Sequence, residues 1–307
     1  MRVALLDDYQ NAALRYADWS GLDVTAFNDH VDDDALVARL EPFEAVVAMR
    51  ERTPFTAARL DRLPNLRLLV TTGAANAAID VAAANARGIT VCGTGYFSSP
   101  TAELTWGLIL ALARNIPAED AAVRAGGWQH TVGADLAQRT LGVIGYGRLG
   151  TRVGEVARAF GMEVIAWSQN LREAEGAKVV TKEELLARSD IITIHLRLSD
   201  RTRGLIGAAE LARMKPSALL VNTSRGPIVD EAALLDALHG GRIGGAAIDV
   251  YDTEPLPAEH PLRSAPRTVV TPHIGYVTRA TYDVFYRDAA EDIRAFIAGE
   301  PVRVIQA

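Results

Sequence analysis

Three short segments in the second half of the chain carry an arginine, a carboxylate and a histidine. They are Asn222-Thr223-Ser224-Arg225-Gly226, Asp249-Val250-Tyr251-Asp252-Thr253-Glu254-Pro255 and Thr271-Pro272-His273-Ile274-Gly275-Tyr276. A guanidinium can grip a carboxylate bidentately and polarise an adjacent keto oxygen. An imidazole moves protons near neutral pH. A carboxylate bonded to the second ring nitrogen fixes the tautomer and favours the protonated ring. Arg225, Glu254 and His273 would therefore suit proton-coupled reduction of a 2-oxo acid, given a hydride donor held elsewhere in the chain.

A place for that donor lies upstream, in Gly145-Tyr146-Gly147-Arg148-Leu149-Gly150. The run Leu141-Gly142-Val143-Ile144 before it reads as a buried strand, and residues 151–160 after it read as a helix. In such a loop the glycines serve a tight turn, close approach of a pyrophosphate and close helix–strand packing. The helix N-terminus adds unpaired N–H groups and a partial positive charge. The next strand would end in an acid if it held the ribose 2′-hydroxyl of NAD. Ser168 stands there instead, with Arg172 four residues on. Arg172 either reaches a 2′-phosphate or is a solvated loop charge, so both NAD and NADP stay open.

Other candidates follow from strand ends. Arg225 comes just after a strand, at the edge that lines ligand crevices in doubly wound sheets, with Thr223 beside it as a cofactor contact. Asp249 can accept from a nicotinamide carboxamide or cap the turn that follows it. His195 ends a strand and is either structural or close to an adenosine. Of the six histidines, His30, His130, His239 and His260 have no setting comparable to that of His273. Arg50 and Arg52, in Arg50-Glu51-Arg52-Thr53, either add a second cation for an anionic substrate or form a solvated charge run.

The elements that must position these residues alternate between short apolar runs and helix-like stretches, which predicts βα units and parallel sheets. Strands are expected at 3–6, 24–27, 45–48, 66–71 and 89–92, with helices at 33–40 and 56–62. A long helix is expected after Ser98-Ser99-Pro100, where Leu104, Leu108 and Leu112 recur at helical spacing. A second series is expected at 140–144, 164–167, 191–195, 218–222, 245–249 and 269–270. The glycine loop thus opens the second series. Residues 1–98 need a domain of their own, to which 274–307 return, while 99–273 form the dinucleotide-binding domain.

A length of 307 residues suits two domains. Apolar residues at 49% supply ample core. A net charge of −6 argues against nucleic acid or an anionic membrane as partner, so an anionic substrate needs a local basic site. The single cysteine, Cys92, excludes an internal disulfide and a multi-thiolate metal centre, and no metal is expected. Acidic residues follow soon after the first apolar ones, and no run approaches the ~20 residues that span a bilayer, so a cytoplasmic protein is expected.

On these motifs, together with residues 101–113 and 214–226, the chain resembles the NAD(P)-dependent D-2-hydroxyacid dehydrogenase family. The resemblance implies an α/β fold with two doubly wound parallel-sheet domains: a discontinuous flavodoxin-like substrate domain and a Rossmann dinucleotide-binding domain. It implies NAD or NADP as cofactor, a small 2-oxo or 2-hydroxy acid as substrate, and D-stereospecificity. Arg225, Glu254 and His273 are the catalytic residues it implies, and a homodimer built around the helix after residue 100 is the assembly. The chain also departs from the family pattern. Its substrate loop reads Gly73-Ala74-Ala75-Asn76, with alanine at the usual second glycine, although alanine keeps the N–H that would bind a carboxylate. Tyr276 replaces a small residue and narrows the pocket. Two rival readings stay open: oxidation of a small oxyanion such as formate or phosphite, and a non-catalytic NAD(H)-sensing interaction protein.

Overall fold

A computed structural model describes residues 1–307. Internal contacts divide the chain into two compact units, Met1–Phe97 with Val277–Ala307, and Ser98–Tyr276. Each is built on a fully parallel sheet.

In the first unit the strands are β1 (Arg2–Leu5), β2 (Asp23–Ala26), β3 (Ala45–Ala48), β4 (Leu68–Thr71) and β5 (Thr90–Gly93), in spatial order β2-β1-β3-β4-β5. Every residue of β3 and β4 is buried. Helices cover both faces of a parallel sheet, so its inner strands read as unbroken apolar runs rather than alternating ones. The connecting helices are α1 (Asp33–Leu40), α2 (Ala57–Leu60) and α3 (Val81–Ala86). Thr56 caps α2 and Asp80 caps α3, each side chain accepting a backbone N–H of the first turn. The C-terminal helix, Arg279–Ile297, packs against β4 and buries Tyr282, Phe285, Tyr286 and Ile293. The chain runs from β1 to β2 and then crosses to β3 on the other side of β1. That reversal puts this unit's topological switch point between β1 and β3.

The second unit begins with α4 (Ser99–Ala113) and α5 (Ile116–Arg124). It continues through β6 (Thr140–Ile144), α6 (Arg148–Ala159), β7 (Glu163–Trp167), β8 (Lys178–Val179), α7 (Lys182–Arg188), β9 (Ile191–Ile194), α8 (Ala208–Leu211), β10 (Leu219–Asn222), α9 (Glu231–His239), β11 (Gly245–Ile248) and β12 (Thr268–Val270). The sheet order is β12-β11-β10-β9-β6-β7-β8, which places the switch point between β6 and β9. Period-two alternation sends Leu141, Val143, Val221 and Ala247 to one face, where α4 and α6 pack. Ile144, Ile192, Leu220 and Ile248 go to the other. Trp106 anchors α4, stacking on Phe160 at 5.0 Å and donating its indole N–H to the Val153 carbonyl at 3.1 Å.

Every expected strand is present, with bounds that differ from the expected ones by one or two residues in most of them, and one strand was not expected. Strand β8 has no apolar run to announce it, since only Lys178 and Val179 pair with β7. Strands β9 and β11 end one residue earlier than expected, so His195 and Asp249 stand in the loops that follow. No helix is long and apolar enough to cross a membrane.

Candidate active site

The glycine loop lies at the switch point of the second unit, and steric contacts explain its composition. Gly145 has φ +96°, and a Cβ there would come within 2.7 Å of the His195 carbonyl oxygen on the neighbouring strand's exit. A Cβ on Gly150 would lie 2.2 Å from the Gly145 oxygen. Both contacts are with backbone, which cannot yield, so the turn and the helix packing require glycine. Gly147 differs: a Cβ there would meet nothing within 4 Å. Its bareness leaves open space at the N-terminus of α6, where Gly147 is the N-cap and makes no side-chain cap bond. Uncapped N–H groups facing open space fit a dinucleotide pyrophosphate. Arg148 and Leu149 form the first turn of that helix. Tyr146 faces inward, its hydroxyl donating to the Glu175 carbonyl at 3.0 Å, so only its backbone belongs to the loop surface.

His195 stands across the switch point. Its Nε2 is 2.9 Å from the Thr193 hydroxyl, and burial alone pushes its imidazole down to about 3, so the ring is neutral. Ser168 follows β7 and is half-buried; Arg172 is exposed and makes no ion pair.

The catalytic candidates occupy three loops braced against one another. Buried Asn222 spans the first, donating to the Arg225 carbonyl at 3.0 Å while its Oδ1 accepts from the Ser224 N–H at 3.0 Å. The Ser224 hydroxyl donates to the Leu196 carbonyl, and the Arg225 guanidinium donates to the Ser224 carbonyl at 2.6 Å. Gly226 brings the second loop close, because a Cβ there would lie 2.1 Å from the Tyr251 carbonyl carbon. Glu254 Oε1 accepts from the Tyr251 N–H at 3.0 Å, and Oε2 lies 2.5 Å from His273 Nδ1. The His273 and Glu254 side chains are only 15% and 22% exposed, so water screens this pair weakly.

His273 adopts a left-handed backbone with φ +53°, a conformation a non-glycine residue keeps only when its surroundings impose it. Asp249 imposes it. Its Oδ1 accepts from the Thr271 hydroxyl at 2.6 Å and the Ile274 N–H at 2.9 Å, and Oδ2 accepts from the Gly275 N–H at 3.0 Å. Burial raises the Asp249 carboxyl above its ordinary value, with the hydrogen bonds from Thr271 and the two amides acting in the opposite direction. These contacts make Asp249 the clamp of the histidine loop, 22 to 26 residues further on, and not the cap of the turn directly after it. Tyr276 is buried with its ring edge-on to His273 at 5.6 Å.

Two threonines of α4, to which no role had been given, complete the frame. The Thr101 hydroxyl donates to the Gly275 carbonyl at 3.0 Å, and Thr105 pairs its hydroxyl with that of Thr223 at 2.9 Å. One turn of α4 thus touches both the histidine loop and the arginine loop. The i, i+4 spacing of Thr101 and Thr105 is the signal that exposes them, since it puts both hydroxyls on one helix face.

The substrate-loop candidates belong to the first unit. Arg50 and Gly73 follow β3 and β4, and the Arg50 guanidinium lies over Gly73. A Cβ on Gly73, whose φ is +104°, would come within 1.8 Å of Arg50 Nη1. Arg50 donates to the Thr72 carbonyl at 3.0 Å and forms an ion pair with Glu51. Asn76 ties the loop down from the other end, donating to the Arg50 carbonyl at 2.6 Å and the Thr71 hydroxyl at 2.9 Å. Ala74 and Ala75 lie at the exposed crest between these anchors. Arg52 rests over the Tyr9 ring and donates to the Asp7 carbonyl at 3.2 Å.

The histidines set aside in the sequence need a correction. His30 lies between two carboxylates, with Nδ1 2.8 Å from Asp7 and Nε2 2.9 Å from Asp32, and Asp7 also accepts from the Thr53 hydroxyl at 2.8 Å. His260 pairs with Glu231 at 2.8 Å. Asp7 and Glu231 are far from their histidines in sequence, so spacing could not reveal them. Neither ring belongs to the trio around His273.

The family model for the D-isomer-specific 2-hydroxyacid dehydrogenase NAD-binding domain matches residues 106–275. A glyoxylate reductase of Aeropyrum pernix is 43% identical over 255 residues, which are 78% of this chain and 76% of that protein. A glycerate dehydrogenase of Methylorubrum extorquens is 37% identical over 285 residues, 89% of each chain. Among solved structures, a phosphoglycerate oxidoreductase of Vibrio cholerae superposes with a TM-score of 0.93 at 39% identity, covering 97% of this chain and 99% of that one.

Proposed function

The chain belongs to the D-isomer-specific 2-hydroxyacid dehydrogenase family, and from that premise we propose that it reversibly reduces a small 2-oxo acid to the D-2-hydroxy acid. The observation that carries the reading is the 2.5 Å contact between His273 Nδ1 and Glu254 Oε2. With Nδ1–H committed to a carboxylate, Nε2 is the ring atom left to move a proton.

The cofactor would lie along Gly145, Gly147 and the first turn of α6, with Ser168 and Arg172 on the adenosine side. When bound, the reduced nicotinamide supplies a hydride to the keto carbon. The rest is work for this chain's residues. Arg225 binds the substrate carboxylate and orients the keto oxygen. His273 delivers the proton from Nε2 to that oxygen in reduction and removes it in oxidation. Glu254 holds the ring in its tautomer and stabilises the imidazolium. Asp249, Thr101 and Thr271 keep the histidine loop in its left-handed turn. In the other unit, the amides of Ala74 and Ala75 with Arg50 are the proposed contacts for an anionic substrate group, Gly73 shaping the loop with its own N–H bonded to Thr94, and Arg52 contributes positive charge beside them. Tyr276 limits the size of the acid that fits beside His273.

Both reduced cofactors are proposed to serve. No carboxylate stands at Ser168, directly after β7, to repel a 2′-phosphate, and Arg172 is exposed and without an ion pair. The active form is proposed to be a cytoplasmic homodimer. Around α5, Ile116, Val123, Trp128 and Val132 are 52%, 50%, 75% and 97% exposed, an apolar surface that association would cover.

The test is purified protein with NADH or NADPH and a panel of 2-oxo acids from glyoxylate to bulky branched and aromatic ones. Oxidation of cofactor that depends on the acid, and that is lost in Arg225→Ala and His273→Ala, supports the proposal. Turnover that survives both substitutions would end it. Cofactor binding without consumption across the panel would point to a sensing protein, and turnover of formate or phosphite alone to an oxyanion dehydrogenase.

A further inference from the structure

The segment after the C-terminal helix returns to the first sheet and lies against the edge strand β5. The Gly93 N–H donates to the Arg303 carbonyl at 3.0 Å, the Ile305 N–H donates to the Val91 carbonyl at 2.8 Å, and Cys92 and Val304 form an antiparallel bridge between them. The segment thus gives an otherwise parallel sheet one short antiparallel neighbour and satisfies an edge that would stay open.

Two further sets of contacts connect this segment to the proposed substrate loop. On one side Arg303 anchors it to the C-terminal helix. Its guanidinium bonds Asp292 Oδ1 at 2.9 Å, the Asp288 carbonyl at 2.9 Å and Glu291 at 2.8 Å. Asp292 is fully buried, so this anchor is shielded from water on the helix side. Asp288 in turn accepts the Gly95 N–H at 2.9 Å, which ties the exit of β5 to the same helix. On the other side Ile305 reaches Gly93. A Cβ built on Gly93 would lie 2.7 Å from the Gly73 carbonyl oxygen, 3.0 Å from Ile305 Cδ1 and 3.5 Å from the Ala74 carbonyl carbon. The bare α-carbon of Gly93 is where the end of the chain and the crest of the loop meet. Thr94 locks the same point, accepting the Gly73 N–H on its hydroxyl at 2.7 Å and donating its own N–H to the Gly73 carbonyl at 3.1 Å.

We propose that Ile305, anchored through Arg303, is a positioning residue for the Gly73–Ala74 backbone and so sets how tightly the substrate's anionic group is held. The inference rests on the reading of residues 73–76 as a substrate-binding loop. Ile305 fills the space under the loop, and no side chain on Gly93 competes for it. Shortening Ile305, or releasing Arg303 from the helix, lets the Gly73–Ala74 backbone shift. Substrate binding weakens while cofactor binding and proton transfer, which use residues of the other unit, do not.

The experiment compares Ile305→Ala and Arg303→Met with the conservative variants Ile305→Val and Arg303→Lys, in the full chain. It measures KM and kcat for glyoxylate at saturating NADH, NADH affinity by fluorescence, and amide hydrogen exchange across residues 73–76. The expected result for Ile305→Ala and Arg303→Met is a KM raised about tenfold, faster exchange at residues 73–76, and unchanged kcat and NADH affinity. The conservative variants should recover most of the loss. Unchanged KM and exchange in folded Ile305→Ala would overturn the proposal, as would a common fall in kcat and NADH affinity alongside KM. If the wild type turns over no 2-oxo acid, the proposed reaction fails, and hydrogen exchange alone then decides whether Ile305 positions the loop.

Discussion

His273 and its neighbours are held by side chains; the Gly73–Asn76 loop is held mainly at its backbone. In the first region a carboxylate grips the imidazole, a second carboxylate grips the loop that carries it, and two threonine hydroxyls of one helix brace that loop and the arginine loop. In the second, Thr94, Asn76 and Arg50 take hold of main-chain N–H and C=O groups, and the crest residues Ala74 and Ala75 carry only a methyl each. Side-chain chemistry needs particular residue types at fixed places, so it constrains the sequence strongly. A loop that binds through N–H groups needs a path for the backbone, and many sequences supply it. The proposed reaction therefore stands on conspicuous residues, while the choice of acid is proposed to be set by shape.

Substitutions should separate the two regions. The largest effect is expected for His273→Ala, which removes the proposed proton carrier. Its kcat should fall on the order of a thousandfold, the range for a general acid, with NADH affinity by fluorescence unchanged. Glu254→Gln keeps the shape but loses the charge that supports the imidazolium, and kcat should fall about thirtyfold with KM nearly constant. In the loop the split reverses. Gly73→Ala places a Cβ where Arg50 Nη1 lies, 1.8 Å away, at a φ of +104°. KM for the acid should rise about tenfold and kcat should change less, because the affected residues carry no proton. A comparable fall in kcat would erase the distinction between the regions.

The smallest effect concerns the Arg50–Thr53 segment, which Asp7 holds through Thr53 while also bonding His30. The hydrogen bond to Asp7, aided by Asp32, raises the His30 imidazole above its ordinary value against the opposing effect of burial. A raised histidine stabilises the fold fully below the unfolded value of about 6.5 and loses that contribution as pH climbs through the folded one. His30→Gln should therefore lower the melting temperature by about 2 °C at pH 6 and by less at pH 8.5, as read by thermal denaturation. An equal loss at both pH values would show that the ring contributes by packing alone.

How much of this could be read from residues alone follows the same division. Parallel sheets were legible because strands such as Ala45-Val46-Val47-Ala48 are buried on both faces and must be apolar throughout. The glycine loop was legible because backbone contacts at Gly145 and Gly150 exclude any side chain. The pairing of His273 with Glu254 was legible because its chemistry admits few residue types. Strand β8 was not, since two residues at a sheet edge bury too little to leave a pattern. Asp7 and Glu231, which pair with His30 and His260, lie far away in sequence, and only folding brings them together. The duty of Asp249 was ambiguous until its oxygens were seen to close the histidine loop. The contact of Ile305 with Gly93 leaves no trace in sequence, because an isoleucine in a terminal segment has many ordinary uses.

His273, poised by Glu254, is proposed to move the proton in reduction of a 2-oxo acid. The most direct test is a single turnover of the protein loaded with NADH and mixed with glyoxylate, wild type against His273→Ala at matched cofactor occupancy. Rapid loss of NADH absorbance is expected in the wild type, and a step slower on the order of a thousandfold in the variant. Equal rates in the two proteins would contradict it.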